Sequence, residues 1–119
     1  MNYSVTSSFD IVELAVSEFF SVKVSDIYSR DRKRNTSNAR AFVWFVLHYN
    51  YGISSNNIAK KYGRTRRNVF LQLSGIKFLV ENQPQEHDDY QKLLEVVKRV
   101  EGEKRLIETS SPLREPERN

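Results

Sequence analysis

Residues 54–72 read Ser-Ser-Asn-Asn-Ile-Ala-Lys-Lys-Tyr-Gly-Arg-Thr-Arg-Arg-Asn-Val-Phe-Leu-Gln, and this stretch decides the fold. Gly63 follows Ala59 by four residues, and Val69 follows Gly63 by six. A helix-turn-helix needs these residue types at these positions. The alanine lets the second helix cross closely, and the glycine adopts a left-handed conformation. The valine closes the small core between the two helices. The spacing therefore predicts two helices joined at Gly63, although an ordinary helical hairpin with a glycine turn shares it.

Two polar residues are expected to cap these helices. Ser54 precedes the first helix and Thr65 the second, and a side-chain oxygen at that position accepts a hydrogen bond from an unpaired backbone N–H of the first turn. The second helix is expected to run to about Glu81, since Pro84 disfavours helical backbone just before it. Its apolar positions recur at helical spacing: Val69, Phe70, Leu73, Ile76, Leu79 and Val80.

The rest of the chain is predicted to be helical as well. A first helix is expected to start at Ser7 or Ser8, with apolar positions at Phe9, Ile11, Val12, Ala15, Val16, Phe19 and Phe20. A short second helix is expected after a cap at Ser25. A third helix over 36–51 carries the apolar run 42–47, which includes Trp44, and is expected at the centre of a bundle and to end at Gly52.

A sixth helix over 85–101 is predicted from its apolar stripe, and no segment shows the alternation of a strand. The stripe consists of Tyr90, Leu93, Leu94, Val97 and Val100. The fold class is therefore all-α, a compact bundle of about six helices. We expect one domain over residues 1–102, followed by a polar, flexible tail over 103–119.

Charge is distributed unevenly along the chain. The net charge is +4, but residues 1–84 carry 12 Lys and Arg against 6 Asp and Glu, whereas residues 85–119 carry 7 against 9. Within residues 30–67 there are ten basic residues and a single acid, Asp31. A basic middle beside a mildly acidic end is the electrostatic pattern expected of a nucleic-acid-binding protein.

The start of the helix after Gly63 has the composition of a base-reading surface. Arginine can hydrogen-bond guanine through two donors, and asparagine or glutamine can pair similarly with adenine. Arg66, Arg67, Asn68 and Gln72 are therefore candidate base readers, and Thr65 with the helix N-terminus can hold a phosphate. Cations at a helix N-terminus oppose the helix dipole, which favours a functional reason for the two arginines.

A second basic cluster precedes the third helix. It consists of Arg30, Arg32, Lys33 and Arg34, with Arg40 about one turn into the helix. Such a loop can track a phosphate backbone or enter the minor groove, and it can equally serve as a solubilising loop. Beside a helix-turn-helix, the first interpretation is favoured.

The order of these parts resembles the C-terminal DNA-binding domain of the bacterial replication initiator DnaA, within the Trp repressor-like helix-turn-helix group. The resemblance covers about residues 8–100. It rests on Val22-Lys23-Val24-Ser25-Asp26-Ile27, the basic loop, Arg40, and residues 54–69 with the Gly63-Arg64 turn.

The resemblance implies that the basic loop and the helix after Arg64 bind different grooves of DNA. The loop residues Arg32, Lys33 and Arg34 would reach the minor groove, and the helix after Arg64 would read the major groove; Arg40 and Ser54 match family positions. The family usually has Asp-His-Thr-Thr where this chain has Thr65-Arg66-Arg67-Asn68. The chain also lacks the Walker A motif of the initiator ATPase.

Other function classes find little support in the residues. There is no cysteine and no nucleophile motif, so we expect neither an enzyme, nor a cofactor, nor a small-molecule substrate. His48 is expected to pack, and the consecutive residues 86–89 point in different directions on a helix, which disfavours a metal site. The composition predicts a cytoplasmic protein without a membrane segment, and the resemblance implies a bacterial protein acting in replication or transcription.

Three partner hypotheses remain. Duplex DNA is favoured over RNA because most aromatic residues fall on core-facing positions and leave no platform for stacking unpaired bases. The alternative is a protein-interaction or dimerisation module that has lost DNA binding. In that case the apolar stripe of the sixth helix, continuing weakly to Leu106-Ile107, would form a homodimer seam, although packing within its own domain is the favoured explanation.

Overall fold

A central helix that packs against four others organises the chain. The computed structural model describes the backbone of residues 3–109 and the side chains of residues 8–104. Within that part there are six helices and no strand: α1 (Tyr3–Phe20), α2 (Val24–Tyr28), α3 (Arg34–Tyr49), α4 (Ser55–Tyr62), α5 (Arg66–Asn82) and α6 (Pro84–Thr109). The prediction of an all-α bundle of about six helices is confirmed. No helix in this part is long and apolar enough to cross a membrane.

The helix α3 lies at the centre of the bundle, as its apolar run predicts. It contacts α1, α2, α4 and α5, while α6 packs against α1 and α5. Every residue from 42 to 47 is buried, and the Trp44 side chain is 1% exposed. A helix that is apolar nearly all round needs neighbours on several sides, and this arrangement provides them.

Two helix starts differ from the expectation. The helix α1 already begins at Tyr3, so neither Ser7 nor Ser8 is its cap. No glycine or proline lies between residues 3 and 8 to interrupt the helix. The helix α2 is capped at Lys23 rather than Ser25, because the Asp26 carboxylate accepts a hydrogen bond from the Lys23 backbone N–H at 3.2 Å.

Two further boundaries also move outward. The helix α3 starts at Arg34, two residues before the expected start, and the Asp31 carboxylate accepts the Lys33 N–H just ahead of it. It ends at Tyr49, and Gly52 takes a positive φ of 70° shortly beyond. The helix α6 continues from the expected end at 101 to Thr109, into the predicted tail. Residues 110–119 of that tail lie outside the described residues.

The connection between α4 and α5 matches the sequence pattern closely. Gly63 has a φ of 67°, and the Arg64 N–H donates to the Ala59 carbonyl at 2.9 Å. Ala59 and Val69 are both buried. The expected caps are confirmed, since Ser54 Oγ accepts the Asn57 N–H and Thr65 Oγ1 accepts the Asn68 N–H.

One apolar assignment on α5 is wrong. Phe70 was expected to face the core, yet its side chain is 60% exposed. The buried row of α5 is Val69, Leu73, Ile76 and Val80, and Phe70 is turned about 100° from Val69 around the helix axis. Apolarity alone cannot separate two adjacent residues when only one of them faces the core.

A buried carboxylate with two tyrosine donors joins three helices beneath the basic surface. Glu13 on α1 is 4% exposed, and its Oε2 accepts hydrogen bonds from Tyr28 Oη and Tyr62 Oη, each at 2.5 Å. The two tyrosine rings also stack, with centroids 4.6 Å apart. Burial first, and then the hydrogen bond to Glu13, raise the pKa of Tyr62.

This cluster predicts a loss of stability at alkaline pH. A raised tyrosine pKa in the folded state contributes stability that is complete below the ordinary pKa of about 10 and is lost as the pH rises above it. Between pH 8 and pH 11, we expect Tyr62 alone to reduce the free energy of unfolding by about 1–2 kcal/mol. Urea denaturation at both pH values measures this loss.

The variant that tests this prediction is Tyr62→Phe, which removes the titrating hydroxyl. Between pH 8 and pH 11, the free energy of unfolding of this variant should decrease less than that of the wild type, by about the amount expected from Tyr62. The control Tyr49→Phe, at a half-exposed ring, should show the same decrease as the wild type. Equal alkaline losses in Tyr62→Phe and the wild type would contradict the prediction.

Candidate nucleic-acid interface

A cleft of about 840 Å³ separates the basic loop from the N-terminal half of α5. Its floor comes from α3 and its far wall from the Gly63 turn and α5. Four arginines and several neutral polar groups line it, and among the residues with described side chains no acid does. The lining residues are Arg30, Arg32, Ser37, Arg40, Ala41, Trp44, Gly63, Arg64, Thr65, Asn68 and Gln72.

Arg40 fixes the shape of the loop that forms one wall of the cleft. Its Nε donates to the Ile27 carbonyl at 2.9 Å, and its Nη2 donates to the carbonyls of Asp26 and Asp31 at 3.3 and 3.1 Å. The residue is only 9% exposed. Because three of its donors are used on backbone carbonyls, Arg40 positions the loop, and the DNA contact expected from the sequence stays a prediction.

Arg64 and Arg30 tie the loop to the turn between α4 and α5. Arg64 donates to the carbonyls of Tyr62 and Ser29 at 2.7 and 2.8 Å, and Arg30 donates to the Gly63 carbonyl at 3.0 Å. The Arg64 guanidinium also lies 5.8 Å from the centroid of the Trp44 ring. These contacts hold the two basic elements at a fixed separation across the cleft.

Burial and the nearness of other cations lower the pKa values of Arg40 and Arg64. Burial, followed by the charge of Arg64, lowers the pKa of Arg40, while Asp31 partly offsets this shift. Burial, followed by the charge of Arg30, lowers the pKa of Arg64. Guanidinium groups remain protonated despite such shifts, so the cleft concentrates positive charge and favours an anion.

The first turns of α5 present the candidate base readers to solvent. Arg66, Arg67, Asn68 and Gln72 are all exposed. Among the residues with described side chains, none pairs with the guanidinium of Arg66 or Arg67. Asn68 and Gln72 lie on the side of α5 that faces the cleft, and Arg67 lies opposite the buried Val69 row. These groups are therefore available to an external partner.

The predicted site residues fall into two groups. Six of them line the cleft: Arg32, Arg40, Arg64, Thr65, Asn68 and Gln72. The other five lie outside its lining: Lys33, Arg34, Ser54, Arg66 and Arg67. Lys33 and Arg34 are exposed where α3 begins, and Ser54 caps α4.

Sequence reasoning overlooked part of this arrangement. Ser37 and Trp44 also line the cleft, and the loop cluster was expected without the bond from Arg30 to the turn. Ser37 lies four residues after Lys33 and three before Arg40, so helical spacing was the available signal for its position. No sequence signal indicated that the loop and the turn would be joined by arginine–carbonyl bonds.

The remaining polar candidates are occupied by structural contacts. His48 Nδ1 donates to the Ile53 carbonyl at 2.8 Å. In the first turns of α6, Asp88 pairs with Lys92, and Asp89 accepts a hydrogen bond from Gln85. Over the described residues, no three His, Cys, Asp or Glu side chains group as a metal site would require.

Most of the apolar stripe of α6 packs within the chain, and Leu94 is the stripe residue that lies outside the core cluster. Leu93, Val97 and Val100 are buried in the same core as α1 and α5, while Tyr90 is partly buried and donates to the Asn50 side chain. The Leu106 and Ile107 side chains lie outside the described residues. Leu93, Val97 and Val100 are therefore not available to a homodimer seam, and the homodimer hypothesis otherwise stays a prediction.

A scan against protein-family models found no match for this chain, and a search of curated protein sequences found none either.

Proposed function

We propose that this protein binds duplex DNA, with α4 and α5 acting as a helix-turn-helix. The N-terminal half of α5 enters the major groove, and the loop 30–34 lies on the flanking backbone or in the minor groove. The observation that carries the proposal is the arginine-lined cleft between these two elements.

The cleft fits the geometry of a duplex. Neighbouring major and minor grooves are separated by one sugar-phosphate strand, so a protein that enters both must leave a trough for that strand. The trough should be lined with cations and neutral donors rather than acids, because phosphate contacts come from Arg, Lys and hydroxyl groups. The composition of the cleft meets this requirement, with Thr65 at the N-terminus of α5 as a further phosphate donor.

The rigid link between loop and turn supports the same proposal. Arg64 and Arg30 fix the spacing of the two walls through backbone carbonyls, so little ordering of either element is needed on binding. The resemblance to the DNA-binding domain of DnaA assigns these elements to the same two grooves. Sequence preference is assigned to Arg66, Arg67, Asn68 and Gln72, whose side chains are exposed.

Salt dependence tests the proposal directly. We expect fluorescence anisotropy with a mixed-sequence 20-base-pair duplex to show an affinity that falls steeply between 50 and 200 mM KCl, because bound cations displace counterions from phosphates. In the variant Arg32→Ala/Arg34→Ala, affinity should fall for every sequence, and the slope of log K against log salt should become shallower by about 2.

A matched control removes the same charge elsewhere. Lys92 and Lys98 are exposed on α6, and none of the cleft-lining residues lies on that helix. Lys92→Ala/Lys98→Ala should therefore leave the slope unchanged. Equal slopes for the loop variant and the wild type would argue against the assigned role of the loop.

A protein-interaction role is the second candidate. The observation that favours it is the exposure of Phe70 and Phe78 on α5, at 60% and 59%. Exposed aromatic side chains on one helix are typical of protein contact surfaces. If this were the only function, Phe78→Ala would abolish self-association or partner binding, and no duplex would bind with a salt-dependent affinity.

A further inference from the structure

The outward face of α5 carries an apolar residue between the candidate base readers. Arg67, Leu71, Ser74 and Phe78 recur at i, i+4, i+7 and i+11, which places them on one face of the helix. All four are exposed, and they lie opposite the buried row of Val69, Leu73, Ile76 and Val80. Arg67 and Leu71, at the N-terminal end of this row, lie in the half of α5 that the proposed function places in the major groove.

Leu71 is the apolar residue of this row that lies beside the candidate base readers. Its side chain is 52% exposed, although leucine is costly to leave in water. It follows Arg67 by one helical turn, about 6 Å along the axis, and precedes Gln72 directly. An apolar side chain here therefore continues the surface formed by Arg67, Asn68 and Gln72.

Resting on the proposed function, we propose that Leu71 reads the 5-methyl group of a thymine in the major groove. The major groove presents one apolar group to a protein, the thymine methyl, and apolar side chains recognise it by contact. With successive base pairs about 3.4 Å apart, the thymine lies within about three base pairs of the base read by Arg67.

The chemistry of this contact allows a test by deletion of a single methyl group. The probe is the duplex that the wild-type protein enriches from a random library, with each thymine replaced in turn by uracil. Burial of one methyl is worth about fourfold in affinity, so we expect one position at which uracil weakens wild-type binding about fourfold. In Leu71→Ala, thymine and uracil at that position should bind equally.

Two controls separate this contact from general effects of the substitutions. Leu14→Ala removes a leucine of similar exposure, 45%, from α1, and Phe78→Ala shortens the same row two turns beyond Leu71. Both variants should retain the fourfold preference for thymine at that position. Circular dichroism melting of Leu71→Ala verifies that the fold is intact.

The possible outcomes distinguish this inference from the proposed function. If the wild type enriches a duplex but no uracil replacement weakens it, or if Leu71→Ala retains the preference, the Leu71 assignment is wrong and DNA binding stands. If no duplex is enriched and none binds with a salt-dependent affinity, both proposals fall.

Discussion

Replacing Arg40 by methionine is expected to lower the free energy of unfolding by about 2–4 kcal/mol, since three backbone carbonyls lose a charged donor and one of them lies in a buried bond. Methionine retains the volume of the side-chain stem, so the loss reports the hydrogen bonds rather than a cavity. Urea denaturation followed by circular dichroism measures the change.

Two companion variants make the Arg40 result specific. Arg40→Lys retains the positive charge but has no planar fork of donors, so it should recover only a minor part of the loss. Arg34→Met removes an exposed arginine from the start of the same helix and should change stability by less than about 0.5 kcal/mol. A loss below about 1 kcal/mol in Arg40→Met would contradict its positioning role.

The second large effect is expected from the double variant Arg66→Ala/Arg67→Ala. Each bidentate arginine–guanine contact is worth about 1–3 kcal/mol, so losing two should weaken binding to the preferred duplex roughly thirtyfold or more. Both side chains are exposed, so the fold should melt at nearly the wild-type temperature. Fluorescence anisotropy with the enriched duplex and with a scrambled duplex measures the effect.

The matched control for this variant is Lys92→Ala/Lys98→Ala, which removes two charges from α6. It should bind the enriched duplex within about twofold of the wild type, because only long-range electrostatics change. If both double variants lost affinity equally, the affinity would depend on the net charge of the protein rather than on contacts made by α5.

Much of the fold follows from local rules that the sequence displays. Ser54 and Thr65 were predicted as helix N-caps and Gly63 as the left-handed residue of the turn, and the structure confirms all three. The helix boundaries were less predictable. No proline or glycine lies between Tyr3 and Ser7 in α1, and α6 continues through the single glycine at Gly102 with no proline before Thr109.

The residues that line the cleft were largely predictable from the sequence, but the hydrogen bonds among them were not. Six predicted residues line one cleft because the charge pattern and the Gly63 turn lie on elements that pack together. All bonds from Arg40 to backbone carbonyls, and the bond from Arg64 to Ser29, span 9 to 35 residues of chain, which no local pattern encodes. The buried Glu13 cluster was missed for the same reason.

The measurement that tests the central claim most directly is selection of a random duplex library by the wild-type protein at moderate salt, with Arg66→Ala/Arg67→Ala alongside. We expect the wild type to enrich a short motif that the double variant fails to enrich. Failure of the wild type to enrich any motif, together with the absence of salt-dependent binding to any duplex, would contradict the claim that this protein reads DNA.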